Sequence, residues 1–143
     1  MYLMNLRKYI LILIFLALSP LVYAQHKLQL NVEGVPTKKG TICYAVYTNE
    51  SSFLKFDKVY KSGMEKAEEG KTTIEINDLP DGEYAVAIFH DANSNKKLDT
   101  NMLGIPKEQV AFTKGRLKMF GPPKFKECAF ILDSNLDLTV TLE

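Results

Sequence analysis

Four short oxygen-bearing side chains follow one another in the pattern Asp91-x-Asn93-x-Asn95-x-x-x-Asp99. They match positions one, three, five and nine of the loop in which carboxylate and amide oxygens converge on one Ca²⁺ ion. Lys96 stands where that loop has its turn glycine, and Met102 stands where it has its bidentate glutamate. With only two carboxylates, the pattern predicts a weak calcium site, in the ~10⁻⁴ to 10⁻³ M range of extracellular modules.

The same four residues have a second interpretation that involves no ion. Asp and Asn side chains in tight loops commonly accept hydrogen bonds from nearby backbone amides and so cap turns. Glu108 supplies a further calcium ligand only if the chain folds back toward the loop. The sequence leaves both interpretations open, and Ca²⁺ is the one cofactor that it suggests.

His90 lies next to this loop at the end of a predicted strand. A lone histidine in such a position is more often a hydrogen-bonded structural residue than a catalyst. In a regular strand, Asp91 points to the opposite face from His90, so no His–Asp relay is implied. The sequence contains no nucleophile motif, zinc-type cluster or phosphate-binding glycine loop. We therefore expect a non-enzymatic envelope domain that binds an unknown ligand or protein through its loops, with no assigned catalytic residue. The alternative is a hydrolase-like enzyme that uses His90, Asp91 and Asp99.

The N-terminus has the layout of a secretory signal. Arg7 and Lys8 precede an apolar run over residues 9–18, which Ser19 and Pro20 interrupt before Ala24. The run is well short of the ~20 apolar residues that span a bilayer. We predict a signal peptide over residues 1–24, a periplasmic or secreted protein with no membrane span after cleavage, and a single domain over residues 25–143.

Charge and cysteine content narrow the choice of partners. Residues 1–24 hold two of the 18 basic residues and none of the 17 acidic ones, so the mature net charge is −1. No large basic field remains to attract nucleic acid or an anionic membrane surface. Cys43 and Cys128 are the only cysteines, and each lies in an apolar run. A disulfide and two separately packed thiols both fit this pattern.

The elements that must position the loop are short strands. Some segments alternate apolar and polar residues, and others are apolar on both faces, as interior strands are. The predicted strands cover residues 27–32, 41–47, 72–76, 84–89, 109–112, 128–132 and 136–142. Ala85 and Ala87 predict that a loop lies close over one face of their strand, either within 49–71 or within 115–124. Spaced turn signals and no long helix predict an all-β, antiparallel β-sandwich of about seven strands.

Residues 49–71 show no sustained period. Ser51 or Ser52 could cap a short helix that carries Phe53, or a strand could run from Lys55 to Tyr60. Both readings stay open from the sequence. The charged part from Met64 to Gly70 is predicted to be a solvated excursion.

The run Asp78-Leu-Pro-Asp-Gly-Glu-Tyr-Ala-Val resembles the LPxGxYxV hairpin of prealbumin-like (transthyretin-like) sandwich domains. The longer assembly DLPDGEYAVAIFHDANSNKKLDTNMLGIPKE, followed by GPPKFKECAF, is similar to a family of small exported bacterial proteins known as domain of unknown function 2141. The similarity covers nearly all of the predicted mature chain. It implies a prealbumin-like sandwich and an envelope location in a Gram-negative, Bacteroidetes-type cell, and it implies no established biochemical activity.

Overall fold

The computed structural model describes residues 24–143, which form eight strands, one 3-10 turn and one short helix. The strands are β1 (Gln25–Val35), β2 (Thr41–Tyr47), β3 (Lys61–Lys66), β4 (Gly70–Pro80), β5 (Gly82–Asp91), β6 (Val110–Phe112), β7 (Phe130–Leu132) and β8 (Leu136–Thr141). The 3-10 turn is Phe56–Lys58, and the helix α1 is Phe125–Cys128. The predicted signal peptide lies outside the described residues, apart from Ala24. None of the helices in residues 24–143 has the length and hydrophobicity to cross a membrane.

The strands form two sheets. The smaller sheet has the order β4-β1-β8, with β1 and β8 parallel. The larger sheet has the order β3-β2-β5, and β6 and β7 pair with successive parts of the free edge of β5. Since every other pairing is antiparallel, the predicted all-β sandwich is confirmed, with eight strands rather than about seven.

The chain passes from the smaller sheet to the larger one at Asp81. β4 pairs with β1 whereas β5 pairs with β2, so the expected hairpin at this turn is wrong. The two strands instead face each other across the core, because Leu79 and Tyr84 both pack into it. The Tyr84 hydroxyl donates a hydrogen bond of 2.9 Å to the Pro80 carbonyl and so fixes the crossing.

The space between the two sheets is the main hydrophobic core. It takes alternate side chains from each strand, as the period of two predicts. Val46, Tyr84, Val86 and Ile88 are buried there, and Tyr44 packs against them while partly exposed. The smaller sheet contributes a matching set: Leu28, Leu30, Val32, Ile74, Ile76 and Val140.

Three local predictions fail, each where local patterning is weak. Asn49, not a serine, caps the turn over residues 50–54, because its Oδ1 accepts a hydrogen bond from the Ser52 amide at 3.0 Å. No strand forms over residues 55–60. β3 occupies the start of the predicted excursion, since an exposed edge strand needs no apolar alternation. α1 replaces the first residue of the strand predicted over 128–132, because Glu127 accepts a hydrogen bond from the Lys124 amide at 2.7 Å.

Candidate functional site

The loop after β5 begins at a closely packed crossing with the β1–β2 turn. Gly40 has a φ of +71°, and a Cβ there would lie 1.9 Å from the Asp91 carbonyl oxygen. Only glycine therefore allows the two backbones to approach so closely. The His90 imidazole Nε2 also donates to the Lys39 carbonyl at 2.7 Å. These contacts fix the point at which the loop leaves the sheet.

Asp91 shapes the first turn of the loop. Its carboxylate is fully buried and accepts hydrogen bonds from the amides of Asn95, at 3.1 Å, and Lys96, at 2.7 Å. Lys96 has a φ of 63°, the left-handed conformation that glycine adopts at the same position of a calcium loop. The turn thus forms without the glycine because a buried carboxylate holds it.

The structure brings three of the four predicted metal ligands together. Asn93 Nδ2 donates to Asp99 at 2.7 Å, and Asn95 Nδ2 donates to both Asp99 oxygens at 3.1 Å. Glu108 folds back, and its carboxylate accepts a hydrogen bond from the Asp99 amide at 3.0 Å. Asp91 instead faces backbone amides. The bonds from backbone amides to Asp91 and Glu108 are those of the capping interpretation, whereas the bonds from the two asparagines to Asp99 join side chains.

The carboxylates at this loop do not converge on one point. Across residues 24–143, no three His, Cys, Asp or Glu side chains are grouped so that they could share a metal ion. A cation at this loop would therefore depend largely on amide oxygens, which favours a weak site for Ca²⁺ over a tight one.

The three residues of the hydrolase hypothesis do not share a pocket. The His90 side chain is buried and pairs with a carbonyl, and Asp91 is buried and pairs with amides. Asp99 is held by the two asparagines. None of the three lines the groove described next, so the geometry gives the hydrolase hypothesis no support.

A groove of about 720 Å³ lies on the outer face of the larger sheet. Its floor consists of side chains that point away from the main core, from β2, β5 and β6. They are Cys43, Ala45, Tyr47, Ala87, Phe89 and Phe112. Ala45 and Ala87 are direct partners in adjacent strands, and their small side chains give the groove depth.

Three irregular segments form the walls: residues 54–59, 98–106 and 117–122. Two of them are tight turns, closed by isolated bridges between Thr100 and Pro106 and between Lys118 and Gly121. Their apolar side chains project into solvent, with Leu103 83% exposed, and Met119 and Phe120 at least 90% exposed. Large apolar side chains grouped at such exposure mark binding surfaces.

The only charged side chains that line the groove are Lys96 and Lys118. Lys118 forms an ion pair with Glu127, and the hydrogen bond from this lysine lowers the pKa of the Glu127 carboxyl. The rim is therefore positively charged at Lys96, and no carboxylate faces the groove.

A second hydrophobic cluster covers the rest of this outer face. Phe53 contacts Tyr47 and Phe125 edge to face, at centroid distances of 5.4 and 5.8 Å. The residues 49–60 and 113–129 thus both lie over the sheet and bury Ala85, as predicted, whereas Ala87 lies in the groove floor and has no loop packed over it. Both of the alternative loops take part.

Thr113 ties the covering segment to the sheet. Its buried hydroxyl accepts from the Val86 amide at 3.0 Å and donates to the Cys128 carbonyl at 2.8 Å. Cys43 and Cys128 are free, buried thiols. Burial raises the pKa of Cys128 to about 11, and it raises the pKa of Cys43 as well. Both thiols are therefore protonated and unreactive near neutral pH.

Residues 30–139 match the model of a family described as "Uncharacterized protein conserved in bacteria (DUF2141)". The chain belongs to this family. No curated protein and no solved structure matches the chain. The matched residues include the floor and all three walls of the groove, so the groove lies within the domain that defines the DUF2141 family.

Sequence reasoning missed the groove in this DUF2141 domain. Two signals pointed to it: the alanines on one face of β5, and apolar residues within breaker-rich segments, such as Leu103 and Phe120. These signals do not identify a groove, because a loop that packs onto a sheet also contains apolar residues. Only the structure shows that these side chains remain exposed.

Proposed function

We propose that the protein is an exported, non-enzymatic binding module that holds a small molecule with a hydrocarbon chain in the groove. The observation that carries this proposal is an apolar cavity of about 720 Å³ whose walls are exposed apolar side chains. Its volume falls within the ~300–1,000 Å³ of small-molecule sites. The proposal refines the binding module expected from the sequence by naming where the ligand lies.

A ligand in the groove removes apolar surface of the walls from water, and this contribution favours binding. Phe120 and Leu103 expose most of their apolar surface to water, and removing such surface from water contributes about 25 cal/mol per Å². Met64 and Met119 also line the groove. Their unbranched, flexible side chains adapt to irregular partners, which suits a flexible alkyl chain better than a rigid ring system.

Titration with a series of straight-chain alcohols, from hexanol to tetradecanol, tests this proposal by calorimetry. Each methylene that enters the groove contributes roughly 0.8 kcal/mol, so the Kd should fall about fourfold per added carbon until the groove is full. A Kd that does not depend on chain length, or no binding, would contradict the proposal.

A matched pair of variants locates the binding. Phe120→Ser removes a wall side chain and should raise the Kd of the longest alcohols, because they lose apolar contact. Ile131→Ser removes an equally apolar side chain that is 62% exposed but does not line the groove, and it should leave the Kd unchanged. Equal effects of both substitutions would place the alcohols elsewhere on the surface.

Export is part of the same proposal and follows from the sequence of residues 1–24. Protein recovered from the periplasm or the medium should begin at Gln25, which N-terminal sequencing or intact mass determines. Recovery of the intact segment Met1–Ala24 in a membrane-embedded protein would contradict export by cleavage.

A weak calcium site in the loop over residues 91–99 is a second proposal. The convergence of Asn93 and Asn95 on Asp99, with Glu108 close behind, favours it. The amide oxygens would have to turn toward the ion, since both amide nitrogens now face the carboxylate. Asp91 would support the loop, because its buried oxygens already hold two amides.

Thermal unfolding in chelator and in millimolar Ca²⁺ tests the calcium proposal. An ion that binds only the folded state raises the melting temperature with concentration. Mg²⁺ should do much less, because it demands a tight octahedral shell. Asp99→Asn should abolish the shift. If wild type melts at the same temperature in chelator and in Ca²⁺, the loop residues are turn caps only.

A further inference from the structure

The charge of the groove rim carries information about the polar end of the ligand. Lys96 and Lys118 are the charged side chains among the lining residues, and the lining contains no Asp or Glu. Lys118 is already paired with Glu127. Among residues 24–143, the ion pairs do not include Lys96. A ligand therefore meets one lysine ammonium that no carboxylate neutralises.

The backbone of Lys96 is fixed in place. Its amide donates to the buried carboxylate of Asp91 at 2.7 Å, and its φ is 63°. Lysine gains nothing from this left-handed conformation, which glycine adopts without strain. The local conformation thus does not explain why a lysine stands here, and the residue lies among those that line the groove.

We infer that the ligand is a long-chain carboxylic acid, whose alkyl chain fills the groove and whose carboxylate binds Lys96 at the rim. This inference rests on the proposed function and deepens it. A lysine ammonium donates charge-assisted hydrogen bonds to a carboxylate, and the acid is ionised near neutral pH. The cavity volume is that of a drug-sized ligand, which one alkyl chain matches and a two-chain lipid exceeds.

The experiment compares dodecanoate with dodecanol by calorimetry on the purified exported protein, below the concentration at which either aggregates. Both share one chain length and differ in the charge of the head group. Wild type should bind dodecanoate roughly two- to fivefold more tightly, the upper range of an ion pair at an exposed site. Raising the salt concentration should narrow this difference, because salt screens the ion pair.

Two lysine variants separate a local contact from general attraction. Lys96→Gln should bring the Kd of dodecanoate close to that of dodecanol and leave dodecanol unchanged. Lys97→Gln is the matched control, because Lys97 adjoins Lys96 in the chain and is exposed but does not line the groove. This substitution should leave the Kd of both ligands unchanged. Circular dichroism verifies that each variant is folded.

The outcomes distinguish this inference from the proposed function. Two results would show that Lys96 does not bind the head group. One is that wild type binds dodecanol as tightly as dodecanoate. The other is that Lys97→Gln raises the Kd of dodecanoate as much as Lys96→Gln does. The inference is then overturned, while the hydrophobic groove stands. If neither ligand binds, or the protein binds only lipid vesicles, both the inference and the proposed function fall.

Discussion

The two faces of the larger sheet differ in how they are covered. The inner face packs against a second sheet, and Val46, Val86 and Ile88 are almost completely buried there. The outer face is covered by irregular segments. They pack closely around Phe53 and Phe125 but leave the groove open over Ala45 and Ala87. One strand thus carries core residues on one side and a groove floor on the other.

This difference assigns stability and binding to opposite faces. A sheet that packs on a sheet closes along its whole length, because both surfaces are regular and interdigitate. Loops follow no such regularity, so they can leave a concave surface whose side chains vary without disturbing the core. Substitutions on the inner face should therefore affect folding, and those on the groove walls should affect ligand binding.

Val86→Asp tests the inner face and should have the largest effect. Val86 is fully buried between the sheets, and an unpaired carboxylate there costs several kcal/mol against a total stability of ~5–15 kcal/mol. Expression trials and urea unfolding should find the variant unfolded or close to it. A variant that melts like wild type would show that this face is not the core.

Thr113→Val tests the attachment of the covering segment to the sheet and should have an intermediate effect. Valine keeps the shape of threonine but removes the hydroxyl, so the Val86 amide and the Cys128 carbonyl lose their partner. A buried polar group left unpaired costs ~1–3 kcal/mol. Urea unfolding should show this loss with an unchanged slope. A stability equal to that of wild type would mean that the covering segment is held by apolar packing alone.

Phe120→Ser tests the groove wall and should have the smallest effect on stability. The side chain is 96% exposed, so its removal should change the unfolding free energy by no more than about 0.5 kcal/mol, while weakening the alcohols as described above. Urea unfolding without ligand measures this. A loss of several kcal/mol would mean that the wall is part of the core, and the contrast between the faces would disappear.

Much of the sandwich follows from the sequence. The boundaries of β2 are those predicted from the run TICYAVY, and β8 agrees with its predicted alternation to within one residue. A period-two pattern reflects the alternation of buried and exposed side chains, so it locates strands that have one buried face. β3 escaped prediction because it is an exposed edge strand, and α1 because four residues hold no helical period.

The candidate site follows from the sequence only in part. The pattern of Asp91, Asn93, Asn95 and Asp99 correctly marked a loop in which three of these side chains converge. The groove depends on contacts between residues far apart in the chain, such as Ala45 with Ala87, and on segments that adopt no regular structure. A periodic pattern of residues does not indicate where irregular segments leave a gap between them, so the groove was not predictable from one sequence.

Methyl NMR on the three methionines of the described domain tests the central claim most directly. Met64 and Met119 line the groove, whereas Met102 is fully exposed on a wall turn but does not line it. With ¹³C-methyl methionine, saturating dodecanol should shift the Met64 and Met119 resonances and leave that of Met102 nearly unchanged. Equal shifts of all three, or a shift of Met102 alone, would contradict a ligand seated in the groove.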